Sequence, residues 1–216
     1  MTAEQLKDFI LGLGASEVGF SKPSGAPQGL EYAITVVVKL SSYVLSQIDG
    51  RPTHAYFHHY RTVNAAIDNI ILRTGLQLEE GGHKYYPIAA SQSVNGLHGI
   101  FPHKTAARLS GLGFIGKNAL FISNKFGCGV RLGTIFTDMP LPLPETHEES
   151  SCGDCNICVS ACPAMAIKGV QFSPDIGRDA MVDAKACSDY MKDKFQDIGR
   201  GAVCGVCVRV CPHTKL

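Results

Sequence analysis

Cys152-Gly153-Asp154-Cys155-Asn156-Ile157-Cys158-Val159-Ser160-Ala161-Cys162-Pro163 decides how the last third of this chain reads. Three thiols at x2 intervals can wrap one face of an iron–sulfur cube from a short loop. A fourth, set after x3 and before proline, points away and ligates a second cube. Near the end, Cys204-x2-Cys207-x3-Cys211-Pro212 repeats most of that run. Its missing first cysteine has a stand-in upstream, Cys187. The spacing predicts one 4Fe–4S cluster on Cys152, Cys155, Cys158 and Cys211, and a second on Cys187, Cys204, Cys207 and Cys162. Zinc is one alternative, but its sites pair two Cys-x2-Cys knuckles across a longer loop and need no x3-Cys-Pro exchange. Disulfides are the other, and they require an oxidising compartment.

The rest of the chain differs in kind. Of nine cysteines in 216 residues, only Cys128 precedes this region. That asymmetry predicts two domains, residues 1–145 forming a core and residues 146–216 stapled by metal. The second is too short to bury much apolar surface, so its clusters must supply much of its stability. A formal net charge of +1 gives no electrostatic reason for nucleic-acid binding. No apolar stretch reaches membrane-spanning length, and neither a secretory nor a twin-arginine signal is visible. The expectation is a cytoplasmic chain with no membrane partner, in a strongly reducing setting.

Hydrophobic periodicity predicts a helix over residues 3–13, with Leu6, Phe9, Ile10 and Leu13 on one face. Residues 17–20 and the β-branched run 32–40 read as strands. Thr53 should cap a long helix running to about residue 78, striped by Ala66, Ile67, Ile70 and Ile71 and ended by Gly81-Gly82. Residues 85–89 read as a strand. Pro102 should open a helix through residue 112. Residues 120–123 and 130–138 read as paired strands, and Pro140, Pro142 and Pro144 as the linker. The mixture predicts an α+β fold followed by a ferredoxin-like cluster domain.

The stretch His103-Lys104-Thr105-Ala106-Ala107-Arg108-Leu109-Ser110-Gly111-Leu112-Gly113-Phe114-Ile115-Gly116-Lys117-Asn118 makes the chain recognisable. With Arg131-Leu132-Gly133-Thr134-Ile135-Phe136-Thr137-Asp138 and Cys187-Ser188-Asp189-Tyr190, it resembles the corrinoid-dependent reductases, the epoxyqueuosine reductases and reductive dehalogenases. The likeness covers residues 85–216 well and the N-terminal part loosely. It implies a nitroreductase-like α+β domain holding cobalamin, with two clusters feeding single electrons to cobalt and then to a small organic substrate. A low-potential ferredoxin or flavodoxin would be the electron donor. It implies corrinoid contacts at Lys104, Arg108, Gly111, Leu112, Gly113, Ile115, Gly116, Lys117, Asn118, Arg131, Gly133 and Thr134. Glycines expose backbone to the corrin's amide arms, and Lys117 and Asn118 can reach those amides or the nucleotide phosphate.

Two departures from the family qualify that expectation. The chain stops five residues after Cys211, without a helical-repeat tail, which with the even charge argues against tRNA as a partner. Between Gly81 and Leu143 the only acidic residue is Asp138, so the family's carboxylate proton donor is missing. His103, then Tyr56 and Tyr60, are the substitute donors, Tyr85 and Tyr86 following. His54, His58 and His59 read as surface or pocket-lining residues, with a metal on the i,i+4 pair His54 and His58 as the alternative. Cys128 reads as a small buried hydrophobe outside both cluster sets, with approach to cobalt as the alternative. The rival function is an electron-transfer protein that binds, reduces or carries a corrinoid for a partner protein. A ferredoxin fused to a module holding flavin or nothing is a third.

Overall fold

The structure, a computed structural model, describes residues 1–94, 96–145 and 149–216. The chain's contacts group it into two compact units. The first comprises Met1–Lys39, Thr62–Gly113 and Arg131–Glu148, and the second Leu40–Arg61, Phe114–Val130 and Glu149–Leu216. These units do not follow a linear division at residue 145/146, a boundary that abuts residues 146–148, which lie outside the described residues. The cysteine-rich part takes two earlier segments into its own core, as expected of a metal-stapled region with little apolar surface to bury alone.

In the first unit, α1 (Ala3–Gly12) starts at a capping box: the Thr2 hydroxyl accepts from the Gln5 amide, and the Gln5 side chain accepts from the Thr2 N–H. It buries Leu6 and Ile10. Strand β1 (Glu17–Ser21) is buried along its whole length and pairs antiparallel with β2 (Tyr32–Lys39), Glu17 opposite Val37 and Ser21 opposite Ala33. The central five residues of β2 are buried too, which is why it reads as a continuous β-branched run instead of an alternating one. A short helix, α2 (Ser42–Ser46), follows; it was not anticipated.

The long helix α3 (His54–Glu80) starts where Thr53 accepts from the Tyr56 N–H at 3.0 Å. It stops at Gly82, whose φ of +81° lets the His83 N–H reach back to the Leu78 carbonyl. Its residues 62–80 belong to the first unit. Strand β3 (Tyr85–Ile88) follows, then α4 (His103–Leu109), β4 (Gly113–Ile115), β5 (Phe121–Ser123) and β6 (Val130–Thr137). Four strands form one sheet in the order β1-β2-β6-β3, with β3 and β6 antiparallel. At Gly133 of β6 the side chains of α3 come close. A Cβ there would lie 2.7 Å from the Ile71 side chain and overlap that of Ile67. Ala33, Ile88, Phe101, Ala106 and Phe136 form a core cluster, with Phe101 and Phe136 edge to face at 4.9 Å. Each fully buried Ile or Phe of this core contributes about 2 kcal/mol.

Two expectations need correction. β5 does not pair with β6; it pairs with β4 in a separate two-stranded sheet. The turn after β5 closes on itself through a Ser123–Gly127 bridge, and β6 departs into the large sheet. Helix α4 is also shorter than residues 102–112: Pro102 is its cap, and Gly111, with φ +71°, turns the chain out of it.

In the second unit the Leu40 N–H donates to the Gly129 carbonyl at 2.8 Å, tying its two early segments together. Its remaining helices are α5 (Ile157–Ser160), α6 (Arg178–Met181), α7 (Ala184–Lys194), capped by Asp183, and α8 (Val206–Arg209). Ile115, Ala119 and Met181 form its core cluster, with Val170, Phe172, Ile176 and Val182 packed against them. Among the described residues no helix is long and apolar enough to cross a membrane.

Candidate metal centre

Cys152, Cys155, Cys158 and Cys211 line one cavity in the second unit, together with Lys117, Asn118, Ile122, Pro212 and His213. The first three thiols hang from a tight turn that the Cys155 N–H closes onto the Cys152 carbonyl at 2.9 Å, and Cys158 sits on α5. Cys211 comes from the far end of the chain. Two glycines allow this. A Cβ on Gly116 would lie 2.6 Å from Ile122, 3.0 Å from Asn118 Oδ1 and 3.5 Å from Cys152 Sγ. A Cβ on Gly127 would overlap the His213 carbonyl. Lys117, only 7 % exposed, donates from Nζ to Asn156 Oδ1 at 3.1 Å and so braces the loop between Cys155 and Cys158.

The other four thiols gather separately. Cys187 on α7 lies near Cys204 and Cys162, and Cys207 on α8 near Cys204, Cys187 and Cys162. The Ala166 N–H approaches Cys162 Sγ at 3.4 Å. Burial, then the neighbouring thiols, pushes Cys187 up to about 11 and Cys207 well above the usual thiol range. Bare thiolates packed this closely repel one another, and a bound cation removes that penalty. Cys211 goes the other way, down to about 6, because the Cys128 thiol and the N–H groups of His213 and Thr214 donate to its sulfur.

Among the described residues no three His, Cys, Asp or Glu side chains converge as one metal ion would require. A zinc ion would draw four sulfurs to roughly 2.3 Å from a single point. Four thiols ringing an open cavity suit a cube, in which each sulfur binds a different iron. The donor set therefore fits two clusters, with Cys162 and Cys211 exchanged between the two runs.

The other residues singled out in the sequence scatter. Gly116, Lys117 and Asn118 surround the first thiol cavity, and Ile115 is 1 % exposed in the second unit's core. Lys104, Arg108, Gly111 and Leu112 are half-buried in the first unit, along α4 and the turn after it, and Gly113 is buried. Gly133 faces α3, as described. Arg131 donates from Nε to Asn64 Oδ1 at 2.8 Å and from Nη2 to the Ala90 carbonyl. Asp68 accepts from the Ala90 N–H at 2.8 Å. Asn64 and Asp68, i,i+4 on α3, thus hold Arg131 and the Ala90 N–H, contacts that sequence reading did not single out.

His103 Nε2 meets the Ala89 carbonyl at 2.9 Å and its Nδ1 meets the buried Thr134 hydroxyl at 2.8 Å. A carbonyl only accepts, so Nε2 carries the proton and Nδ1 accepts from Thr134. Burial, opposed by the Ala89 carbonyl and aided by Arg131, pushes the imidazole down to about 4. It is neutral at pH 7 with both nitrogens engaged. Tyr56 is 5 % exposed, and its ring lies 2.7 Å from where a Cβ on Gly205 would stand, in the loop between Cys204 and Cys207. Tyr60 packs beside it, with ring centroids 6.3 Å apart. His59 Nε2 accepts from the Ser41 N–H at 2.9 Å.

Residues 151–214 match the family of 4Fe-4S double cluster binding domains. The chain is 32 % identical over 112 residues to epoxyqueuosine reductase of Listeria monocytogenes serovar 1/2a, covering 50 % of this chain and 28 % of that one. It is 27 % identical over 179 residues to that of Aliivibrio fischeri, covering 76 % and 44 %. The chain thus spans less than half the length of these relatives. In fold it is similar to a reductive dehalogenase whose structure suggests a mechanism for B12-dependent dehalogenation, with TM-score 0.77, 17 % identity and coverage of 99 % and 32 %. It is also similar to an epoxyqueuosine reductase solved with a tRNA-Tyr stem loop, with TM-score 0.62, 17 % identity and coverage of 97 % and 64 %.

Proposed function

We propose that this chain, a sequence relative of the epoxyqueuosine reductases, is a cobalamin-dependent iron–sulfur oxidoreductase that passes electrons through two 4Fe–4S clusters to a small organic substrate. The observation that carries the reading is the pair of exchanged thiol tetrads in a fold shared with a B12-dependent dehalogenase. Two cubes that share crossed loops form a short wire, and a wire needs an acceptor. Bound cobalamin would supply a cobalt that takes single electrons at low potential and hands them to carbon.

Of the corrinoid contacts inferred from sequence, Lys104, Arg108, Gly111 and Leu112 best fit a ring rimmed with amides, because they are half-buried along one helix and its exit turn. Gly116, Lys117 and Asn118 serve the first cluster instead. Gly133 serves helix packing, and Thr134 orients His103. In this reading residues 1–145 supply the corrinoid site and residues 146–216 the cluster ligands. The electron donor is a low-potential ferredoxin or flavodoxin.

A second reading has its own support. His103 and Tyr56, the first choices for proton donor, are engaged in hydrogen bonding and packing, respectively. With those two donors engaged, an electron-transfer protein that reduces or carries a corrinoid for a partner gains support. The test begins with anaerobic cluster reconstitution, addition of hydroxocobalamin, gel filtration and an absorption spectrum. Retained corrinoid is expected, and its absence at micromolar protein overturns both readings. Reduced holoprotein is then offered small organohalides and epoxides, and separately a tRNA stem loop carrying epoxyqueuosine. Turnover of a small molecule supports the enzyme; corrinoid reduction without turnover supports the carrier.

A further inference from the structure

We propose that the Lys117 ammonium is the counter-charge of the first cube and raises its reduction potential. An electron shared by the two cubes is thereby biased toward the one on Cys152, Cys155, Cys158 and Cys211. The inference rests on the double-cluster reading and not on the corrinoid.

Three observations place the charge there. Lys117 lines the first thiol cavity together with all four of its cysteines. The backbone just before it runs against a ligand: a Cβ on Gly116 would lie 3.5 Å from Cys152 Sγ. Its Nζ donates to Asn156 Oδ1 at 3.1 Å, and Asn156 stands between Cys155 and Cys158. The side chain thus starts beside Cys152 and ends at the loop that carries the next two ligands.

Both ends of that span are held. The Gly116 N–H donates to the Leu120 carbonyl at 3.0 Å and the Ala119 N–H to the Gly116 carbonyl at 2.8 Å, which closes a turn around Lys117. Ala119 takes φ +57° there, an uncommon backbone for a residue with a side chain. At the far end Asn156 Nδ2 donates to the Asp154 carbonyl at 3.3 Å. The Asn156 carbonyl accepts from the Val159 and Ser160 N–H groups at 3.0 and 3.1 Å. That arrangement turns Oδ1 to Lys117. A lysine serving solubility would extend into water, whereas this one is 7 % exposed. Holding it costs rotamer freedom and hydration, and one neutral amide returns little of either.

The chemical consequence follows from charge. A cube on four thiolates is negative in both redox states, and an added electron makes it more so. That electron comes from the low-potential donor and stays on the cube; no bond at Lys117 forms or breaks. A fixed positive charge stabilises the more negative state more, so the couple rises. Burial leaves this charge less screened by solvent and salt than a surface lysine would be.

The test is a potentiometric titration with dithionite, read by electron paramagnetic resonance, on the reconstituted full chain. Wild type, Lys117→Gln and Lys117→Arg are compared, with iron counted in each. Glutamine keeps an N–H donor for Asn156 and drops the charge; arginine keeps both. In Lys117→Gln one couple should move to more negative potential, with about a tenfold fall in its reduction equilibrium constant, which is ~59 mV for one electron. It should be the couple missing from Cys155→Ser, and the other should move by less. Lys117→Arg should lie close to wild type. Unmoved couples in Lys117→Gln, or equal negative shifts in the glutamine and arginine variants, overturn the inference and leave the cluster reading intact. A larger shift in the other couple overturns it as well. Potential is an intensive quantity, so a Lys117→Gln sample that loads only part of its first cube still yields the couple. Complete loss of that cube makes the lysine a requirement for assembly and also overturns the inference. A wild type that takes up no iron overturns both readings.

Discussion

Replacing Cys162 with serine should destroy the cube that is remote from it in sequence. Cys162 closes the first cysteine run, yet it lies with Cys187, Cys204 and Cys207, while Cys211 lies with Cys152, Cys155 and Cys158. Single losses alone do not distinguish the topologies, since any ligand removed costs one cube, about half the iron. Pairs do. Cys162→Ser with Cys187→Ser removes two ligands of the same cube, so iron should stay near half. Cys162→Ser with Cys155→Ser removes one ligand from each, so iron should fall close to zero, whereas without the exchange it would stay near half. The effects are non-additive within a tetrad and additive across tetrads, as coupling through a shared site requires. Burial sharpens the outcome. It pushes Cys187 up to about 11 and raises Cys204 and Cys207 as well, so the three thiols left by the loss of Cys162 favour their protons over a partial cluster. The assay is iron and acid-labile sulfide per chain after anaerobic reconstitution, with spin counts on the reduced samples. Half the iron surviving in Cys162→Ser/Cys155→Ser, or iron near zero in Cys162→Ser/Cys187→Ser, would refute the exchange.

Three further outcomes are expected. His103 is at about 4 in the folded chain against 6.5 unfolded, so below pH 6.5 the unfolded chain binds the extra proton and stability falls as pH drops. The loss from this group is about 2 kcal/mol between pH 7 and pH 5, read from denaturant midpoints, and a His103→Gln variant should flatten that slope. Gly133→Ala drives a methyl into Ile67 and Ile71 and should cost about 1–3 kcal/mol in thermal or denaturant stability. Corrinoid retention by the folded fraction should be unchanged; selective loss of retention at full stability would restore Gly133 as a cofactor contact. Tyr56→Phe keeps the ring that packs on Gly205 and should leave both cubes and any turnover unaltered, while Tyr56→Ala should loosen the cube of Cys204 and Cys207. Loss of turnover in Tyr56→Phe with full iron would instead mark the hydroxyl as a proton donor.

Much of this was legible in residue spacing. The thiol exchange follows from x2 and x3 intervals because a cube fixes where its ligands stand, and β1, β2 and α3 follow from apolar period, caps and a terminating glycine. What was not legible depends on which distant surface a segment meets. Residues 120–123 and 130–137 look like a hairpin because a turn separates them, yet the strand before the first one wins the pairing. Helix α4 has apolar period through residue 112, but Gly111 adopts a left-handed turn that periodicity does not register. His103 reads from sequence as a proton donor or as a helix-start residue bonded to backbone, and sequence does not name its two partners, Ala89 and Thr134, because they lie 14 and 31 residues away.

The glycine-rich stretch shows how one motif divides into two jobs. Gly111 and Gly113 fall in the first unit, and Gly116, Lys117 and Asn118 in the second. Read as a single cradle, all five would touch one cofactor. The packing around each is different. Gly111 ends a helix through its left-handed backbone, with its N–H on the Arg108 carbonyl. Gly116 is a matter of clearance, since a methyl there would crowd Ile122 at 2.6 Å and reach van der Waals contact with Cys152 Sγ. Lys117 spends its ammonium on Asn156, between two iron ligands, and Asn118 spends its amide on Cys128. A buried ammonium with one neutral partner is costly unless a negative charge stands nearby. A cube ligated by four thiolates provides that charge. Over its last three residues the segment that looked most like a corrinoid signature thus lies against the first thiol cavity, and on the proposed function Lys117→Met should make that cube the more labile of the two, in iron per chain, while sparing the one on Cys187.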